Sequence, residues 1–326
     1  MKSVFISGGA GFIGSHLVRW LLRTPGIEKV VVFDNFSSGH EDHLRDVIAD
    51  CRLQVVRGDL KEPGQIKPAL SGADLVFHLA ANPDIARALA EPDIDFREGT
   101  LLLQNLLEAM RQTGVGELIF TSGSGVYGEN AHVAFRENHG PCIPISTYGA
   151  SKIACEALIA AYCHMFGLRA RVFRFANVVG PRQTHGVGHD FIHRLAADPT
   201  RLRILGDGTQ RKSYIHVDDI LNAVFLAQRH GTQSYDVFNV ATGDYITVRQ
   251  IAEIALEVCG LDHRAVQLEF TGGDRGWKGD VPVIRFNCEK IAALGWRCQR
   301  SSAEAMRAAM EAMHAALPTS AKKHHG

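Results

Sequence analysis

Short apolar runs alternate with amphipathic stretches along the first 176 residues of the chain. The runs are nearly continuous in Val, Ile, Leu and Phe, whereas apolar positions recur at helical spacing between them, as in 101–110 and 153–166. Strands that are apolar on both faces and separated by helices indicate a parallel sheet covered on both sides. Six strands are predicted in this way, at 4–6, 30–33, 53–56, 75–79, 118–120 and 171–175.

The regular alternation of strands and helices ends after Gly180-Pro181, where turn clusters such as 206–208 separate shorter elements. We therefore predict an α/β fold in which a Rossmann-type doubly wound parallel sheet (residues 1–176) is followed by a smaller α+β domain (residues 177–326). A segment at about 214–245 is expected to return to the first domain, and residues 318–326 are expected to form a disordered tail.

The last helix is predicted from a capping box, Ser301-Ser302-Ala303-Glu304, followed by an apolar stripe. We interpret the stripe as core rather than as a partner site. It consists of Met306, Met310, Met313 and Leu317.

Composition and charge narrow the class of protein. The 326 residues are 46% hydrophobic and 21% charged with a formal net charge of zero, so electrostatics favours neither nucleic acid nor a membrane surface as a partner. The seven cysteines include no Cys-x-x-Cys pair, which fits a reducing cytoplasm. His189 and His193 have the spacing of a zinc-binding helix without its central glutamate, and we predict no metal site.

Three glycines, Gly8, Gly11 and Gly14, follow the first strand and open a helix. This spacing permits a tight turn, a close approach of the backbone to a pyrophosphate, and close packing of helix on strand. Asp34 follows Gly14 by 20 residues, at the end of the second strand. An acidic side chain there accepts hydrogen bonds from ribose hydroxyls and repels a 2′-phosphate, so the sequence predicts NAD rather than NADP.

The loops after the next two strands add candidates for the same site. Asp59 could meet the adenine edge, and the small residues at 79–81 leave space for a cofactor, although a solvated turn is the alternative for each. The residues predicted to bind the cofactor are Gly8, Gly11, Phe12, Ile13, Gly14, Asp34, Asn35, Ser38, Gly39, Asp59, Leu60, Leu79, Ala80, Ala81, Tyr148 and Lys152.

Tyr148 and Lys152 are four residues apart, which on a helix places both on one face. A lysine ammonium beside a phenol favours the phenolate, and a tyrosine tuned in this way can take a proton from a substrate hydroxyl and return it. A surface pair is the alternative, because this spacing also occurs by chance.

The order of these motifs resembles the extended short-chain dehydrogenase/reductase family, in its nucleotide-sugar epimerases and dehydratases. Val126-Tyr127-Gly128 and the segments 174–181, 205–219 and 274–280 extend the resemblance over nearly the whole chain. Within the family the chain is most similar to the UDP-glucose (UDP-galactose) 4-epimerases. The resemblance implies an NAD-binding domain, a substrate domain for a nucleotide-diphosphate sugar of the UDP-hexose type, and a homodimer formed through helices near 93–113 and 147–166.

The same resemblance implies roles for individual residues. Tyr148 would be the general base on the sugar 4-hydroxyl and Lys152 would contact the nicotinamide ribose, while Ile284 would stand where relatives gate bulky 2-acetamido groups. Whether Arg211 or Lys212 meets the pyrophosphate stays open, and a solvated surface charge is the alternative for each basic residue. The residues predicted to bind substrate are Asn82, Ser124, Tyr148, Asn177, Arg211, Lys212 and Arg275.

One position departs from the family pattern. Gly123 stands where relatives have a Ser or Thr proton relay, so Ser124 or Ser122 becomes the candidate catalytic hydroxyl. Gly125 and Ser124 also replace the carboxylates that dehydratases and decarboxylases of the family use. We therefore expect a 4-epimerase that works through a 4-keto intermediate with internal hydride return. A nucleotide-sugar dehydratase or reductase, and a non-catalytic NAD-binding relative, are the alternatives.

Overall fold

The computed structural model describes residues 1–130, 132–273, 275–276, 281 and 283–318. They form two compact units. The first unit consists of Met1–Tyr127, Gly140–Arg174 and Val224–Phe238, and the second of Gly128–His139, Phe175–Ala223 and the described residues from Asn239 onwards. The tail predicted at 318–326 lies outside the described residues except for Pro318.

The helices and strands follow each other in the order that the apolar pattern indicates. The strands are β1 (Ser3–Ser7), β2 (Lys29–Asp34), β3 (Leu53–Arg57), β4 (Leu75–His78), β5 (Glu117–Gly123), β6 (Ala134–Phe135), β7 (Arg169–Phe175), β8 (Asn177–Val179), β9 (Arg201–Ile204), β10 (Arg211–Lys212), β11 (Tyr214–His216), β12 (Tyr235–Val240), β13 (Ile246–Thr247), β14 (Gln267–Phe270) and β15 (Arg285–Phe286). The helices are α1 (Phe12–Arg23), α2 (Pro63–Leu70), α3 (Leu101–Thr113), α4 (Thr147–Phe166), α5 (Val187–Ala197), α6 (Val217–His230), α7 (Val248–Val258), α8 (Glu289–Ala293) and α9 (Ser302–Ala316).

A seven-stranded sheet in the order β12-β7-β5-β4-β1-β2-β3 forms the centre of the first unit. The registers of β3 with β2, β2 with β1, β1 with β4 and β4 with β5 are all parallel. All six strands predicted from the sequence are in this sheet. The prediction did not include β12, the edge strand. Because the carboxyl ends of parallel strands meet at one edge, the loops after β1, β2, β4 and β5 come together there.

Helices cover both faces of the sheet, which confirms the doubly wound fold. On one face α2, α3 and α4 share a core with strand residues such as Phe5 and Val172. On the other face Trp20 of α1 stacks on Phe225 of α6 with ring centroids 5.3 Å apart, and Phe225 lies 6.0 Å from Phe77 of β4. Across the described residues, no helix has both the length and the apolarity needed to cross a membrane.

The second unit has its own core, built from α5, α7 and α9 with short two-stranded sheets. Ser301 and Glu304 form the predicted capping box at the start of α9. Met306 and Met310 are fully buried in that core and Met313 nearly so, which confirms that the stripe is core.

Truncating Met310 should destabilise this core. Because the side chain has no exposure, Met310→Ala should lower the free energy of unfolding by about 2–5 kcal/mol through lost contacts and a residual cavity. Met310→Leu conserves volume and should cost less than about 1.5 kcal/mol. Urea denaturation followed by circular dichroism checks both values, and equal costs for the two variants would contradict the assignment.

Candidate active site

The turn after β1 has glycines because backbones meet there. Gly8 has a left-handed φ of 74°, and a Cβ on it would lie 2.7 Å from the backbone N of Ala80. A Cβ on Gly14 would lie 2.3 Å from the carbonyl oxygen of Gly8. Because real Cβ atoms do not approach a backbone this closely, the first and last glycines hold α1 tightly against the turn.

The N-terminus of α1 is open to an anion. Gly11 is its N-cap, no side chain of the described chain caps it, and its first turn has no acidic residue. A Cβ on Gly11 would meet a single atom within 4 Å, the Gly8 oxygen at 3.3 Å. The backbone N–H groups of Phe12 and Ile13 are in the first turn, where helix N–H groups have no intrahelical partner. These residues fit the pyrophosphate of a dinucleotide.

Asp34 is fixed in place by the backbone around it. One carboxylate oxygen accepts a hydrogen bond from the Ala10 N–H (2.9 Å) and the other accepts one from the Phe36 N–H (2.8 Å). Each oxygen keeps a lone pair, so the buried carboxylate still has acceptor capacity for a ribose hydroxyl. Gly39, in the loop after β2, packs closely against Ala10: a Cβ on Gly39 would lie 3.0 Å from the Ala10 Cβ.

The loops after β2 and β3 are joined by side chains. The Asn35 amide donates to Asp59 over 3.1 Å. Partial burial raises the pKa of Asp59, but hydrogen bonds from the Lys61 N–H and from Asn35 outweigh it, so the pKa is lowered and the carboxylate stays ionised. Leu60 is buried and Ser38 is exposed.

The predicted residues after β4 lie at the same edge of the sheet. Leu79 donates its N–H to the Ser7 oxygen (3.0 Å), and residues 79–81 are half-buried. The backbone of Ala80 lies close to the Gly8 Cα, as the steric limit on Gly8 shows.

The structure brings Tyr148 and Lys152 together on the first turns of α4, which the Ser146 hydroxyl caps by accepting from the Gly149 N–H. The Lys152 Nζ lies 5.4 Å from the Tyr148 ring centroid and 4.9 Å from the Phe120 ring centroid. It also donates to the Thr121 carbonyl oxygen over 2.8 Å. The ammonium is therefore held between the end of β5 and the tyrosine ring.

A neutral histidine lies beneath this lysine. His78 is fully buried at the end of β4 and hydrogen-bonded to the Ser7 hydroxyl (2.7 Å). Burial, and then the nearby Lys152 charge, lower the pKa of His78 to about 3. The His78 carbonyl oxygen accepts a hydrogen bond from the Thr121 hydroxyl (3.3 Å). Hydrogen bonds therefore connect the ends of β1, β4 and β5, and the last residue in this series, Thr121, also accepts from Lys152. The prediction did not include Ser7 or His78.

A short helical turn at Ser124–Tyr127 packs against the start of α4. A Cβ on Gly149 would lie 2.4 Å from the Gly125 oxygen and 2.9 Å from the Pro144 Cβ, so only glycine fits next to Tyr148. A Cβ on Gly123 would meet nothing within 4 Å, so the space beside this residue is open.

The two candidate relay serines differ in their surroundings. Ser122 is buried and donates to Glu156 over 2.6 Å. Ser124 is half-buried, and its hydroxyl has no hydrogen bond to any part of the chain that the structure describes. The Tyr148 hydroxyl likewise has none within the described ranges.

Asn82 has hydrogen-bond partners within the first unit. Its amide nitrogen donates to Asp95 (2.9 Å) and to the Asp84 oxygen (2.8 Å), and its own oxygen accepts from the Asp84 N–H (3.1 Å). The buried Asp95 also accepts from the Thr147 hydroxyl (2.7 Å) at the start of α4. Asp95 therefore ties the segment after β4 to the helix that presents Tyr148. No motif in the sequence had singled it out.

The remaining predicted substrate residues lie in the second unit. Asn177 is exposed at the start of β8, and its amide donates to the Ser213 oxygen (3.1 Å). Arg211 and Lys212 form β10, which pairs antiparallel with β13. The Arg275 guanidinium donates to Glu129 over 2.7 Å. The carboxylate that follows the Val126-Tyr127-Gly128 motif is thus engaged by a predicted pyrophosphate ligand.

Comparison with known proteins decides the family. Residues 4–241 match the NAD dependent epimerase/dehydratase family. The chain belongs to this family. This confirms the predicted relationship to the extended short-chain dehydrogenases/reductases. The chain is therefore an enzyme of an NAD-dependent family, and NAD is its cofactor.

Solved structures of two activities are similar to the chain. A UDP-galactose 4-epimerase structure is 36% identical with a TM-score of 0.85, covering 97% of this chain and 100% of its own. UDP-glucose 4-epimerase of Thermotoga maritima, solved with UDP-glucose, is 31% identical with a TM-score of 0.85 and the same coverage. The dTDP-glucose 4,6-dehydratase of Streptomyces venezuelae, solved with NAD, is 30% identical with a TM-score of 0.86, covering 95% of this chain and 96% of its own. Similarity therefore assigns the family and leaves the reaction to the residues of the site.

Substituting Gly14 should weaken cofactor binding. The new methyl of Gly14→Ala would overlap the Gly8 oxygen, so the turn must open, and we expect NAD affinity to fall at least about tenfold, a loss of about 1.4 kcal/mol. Gly64→Ala in α2 is the matched control, because its Cβ would meet nothing within 4 Å. NAD content after purification, with circular dichroism to verify folding, measures the effect. Equal NAD content in both variants would contradict the assignment.

Proposed function

We propose that the protein is an NAD-dependent nucleotide-sugar 4-epimerase of the UDP-glucose/UDP-galactose type. The observation that supports this most is the composition of the turn beside Tyr148: Gly123, Ser124 and Gly125 offer one free hydroxyl and no carboxylate. Dehydration or decarboxylation needs acid/base groups beyond the redox step, whereas inversion at C4 needs one. Glu129, the next carboxylate along the chain, is paired with Arg275.

The chemistry that bound NAD supplies is reversible hydride acceptance at sugar C4. Tyr148 takes the proton of the sugar 4-hydroxyl as C4 is oxidised to the ketone. Lys152, held by the Thr121 oxygen over the tyrosine ring, favours the phenolate that this step requires. The 4-keto sugar turns over within the site, C4 is reduced from its other face, and Tyr148 returns the proton to O4. The cycle is redox-neutral.

We assign the relay role to Ser124. Its hydroxyl is free within the described chain and its turn packs directly on the first turn of α4, whereas the Ser122 hydroxyl is bonded to Glu156. The predicted part of Asn82 in substrate binding stays a prediction, since its amide is already bonded within the first unit.

For the substrate we propose a nucleotide-diphosphate sugar whose pyrophosphate meets Arg275 and one of Arg211 and Lys212, with Asn177 nearby. Paired cations match a dianion, and Arg offers a bidentate fork. We also propose a cytoplasmic homodimer formed through α3 and α4. Two apolar side chains beside these helices are exposed, Phe96 just before α3 (59% accessible) and Met165 near the end of α4 (71% accessible), which supports that proposal.

A dehydratase is the second candidate, because the Streptomyces venezuelae enzyme is as similar in structure as the epimerases are. The two candidates give different products from one substrate. Purified protein incubated with UDP-glucose, without added NAD, should form UDP-galactose, seen by proton NMR. Formation of only a 4-keto-6-deoxy sugar would exclude the epimerase.

Tyr148→Phe should abolish turnover and leave the cofactor bound. The variant loses only the hydroxyl, so epimerisation should fall by roughly 10²–10⁴-fold, the usual worth of a general acid/base. NAD content should match that of the unaltered protein, because the ring and Lys152 remain. An active Tyr148→Phe variant would refute the role of the tyrosine.

Ser124→Ala and Ser122→Ala separate the two serines. Removal of the relay hydroxyl at Ser124 should lower kcat about 10–100-fold, the worth of one hydrogen bond to a charged group. Ser122→Ala should lower kcat less. Adding Gly123→Ser to Ser124→Ala should restore part of the activity, since the space at Gly123 is open. A larger loss in Ser122→Ala would reverse the assignment.

A further inference from the structure

A buried ion pair lies one helical turn beyond Lys152. Tyr148, Lys152 and Glu156 are spaced at i, i+4 and i+8 on α4, so the three side chains share one face. Glu156 accepts from Arg174 of β7 in a bidentate arrangement, with Nε at 3.0 and Nη2 at 2.6 Å. The two side chains are only 5% and 6% exposed.

The ion pair is joined to β5 and to the turn that packs on the start of α4. The Ser122 hydroxyl of β5 donates to Glu156 over 2.6 Å. The Arg174 Nη1 donates to the Tyr127 hydroxyl over 2.9 Å, and the guanidinium lies 4.8 Å from the Tyr127 ring centroid. Tyr127 ends the turn that begins at Ser124. One charge pair therefore links α4, β5, β7 and the turn with the proposed relay.

Consecutive residues of β5 hold consecutive turns of α4. The Thr121 carbonyl accepts from Lys152, and the neighbouring Ser122 hydroxyl donates to Glu156. Any slide of α4 along β5 would break both bonds together. The ion pair and the Lys152 bond thus fix the position of α4, and with it Lys152 and Tyr148, along the carboxyl end of β5.

The contribution of this ion pair to the stability of the fold does not by itself explain its presence. Burying two charges costs desolvation that their attraction barely repays, and apolar residues of the same volume are commonly as stable. What the pair adds is a fixed arrangement of charge close to Lys152, in surroundings where charges act strongly because water is excluded.

The other titratable groups facing the pair are neutral near pH 7. Burial raises the pKa of Cys155 to about 11 and also raises the pKa of Cys142 and of Tyr235. Burial opposes the charge on Arg174, but Glu156 outweighs it and holds the Arg174 pKa above its usual range. The charged groups along this face of α4 are therefore Lys152, Glu156 and Arg174, and the buried Asp95 carboxylate lies at the start of the helix, bonded to Thr147.

We propose that Glu156 and Arg174 are positioning residues whose buried pair fixes Lys152 and sets the electrostatic surroundings in which Tyr148 ionises. The proposal rests on the proposed roles of Tyr148 and Lys152. It also gives Ser122 a part, as the hydroxyl that ties Glu156 to β5 rather than as a proton relay.

Single-charge variants test the proposal. Glu156→Gln removes a negative charge and leaves Arg174 in place, so Tyr148 should ionise at lower pH, by on the order of one pH unit. Arg174→Met should move the ionisation to higher pH. The double variant removes both charges and should return the midpoint close to that of the unaltered protein. The midpoint is read as the ultraviolet difference between each protein and its own Tyr148→Phe partner.

This readout does not need turnover, so it distinguishes failure of the proposal from failure of the proposed epimerase activity. Where turnover is measured, the acid limb of kcat against pH should move with the phenol midpoint. Tyr127→Phe is the matched control: it removes a hydrogen bond to Arg174 but no charge, and should leave the midpoint in place. Glu156→Asp keeps the charge and should lower kcat without moving the midpoint.

Unmoved midpoints in folded Glu156→Gln and Arg174→Met would overturn the proposal, since a purely structural pair would cost stability and leave the ionisation alone. If Glu156→Gln does not fold, Arg174→Met and the double variant decide the question by the same shift and its reversal. A double variant whose midpoint stays as far displaced as in either single variant would equally overturn it.

Discussion

The seating of α4 against the carboxyl ends of the sheet is the constraint on which the chemistry depends. Gly149 permits it, because any side chain there would collide with the backbone of Gly125. Asp95 secures the start of the helix through Thr147, and Thr121 holds Lys152 one turn further on. The four-residue spacing on α4 sets the separation of the proposed base Tyr148 and Lys152, and these contacts fix where the pair lies against the sheet.

The cofactor half of the site follows from the same edge of the sheet. The glycine turn, the carboxylate of Asp34 and the loops after β3 and β4 all lie where parallel strands end. The close approaches at Gly8 and Gly14 are to backbone atoms, and a Cβ on Gly9 would lie 2.7 Å from the Val32 side chain, which explains why these positions are glycine. The arrangement thus combines an anion site at a helix N-terminus with an acceptor for ribose.

Much of this could be predicted from the sequence because it depends on local pattern. Six strands, the glycine turn and the Tyr148/Lys152 face follow from period and spacing, and the structure has them in these places. The edge strand Tyr235–Val240 was missed because it comes late in the chain and pairs with β7, a strand that begins 66 residues earlier, at Arg169. The bonds of Ser122, Asn82 and Asp95 could not be predicted, since each depends on which side chains the fold brings together.

The choice of reaction depends on what stands beside Tyr148. Relatives of both activities match the chain about equally well, but Gly123, Ser124 and Gly125 carry no carboxylate, which supports the proposed inversion at C4. Product formed from UDP-glucose in deuterated water, examined by NMR, tests this most directly. The account predicts inversion at C4 with no deuterium bound to carbon, because the hydrogen at C4 is returned within the site. Deuterium at C5 or C6 of the product would contradict it.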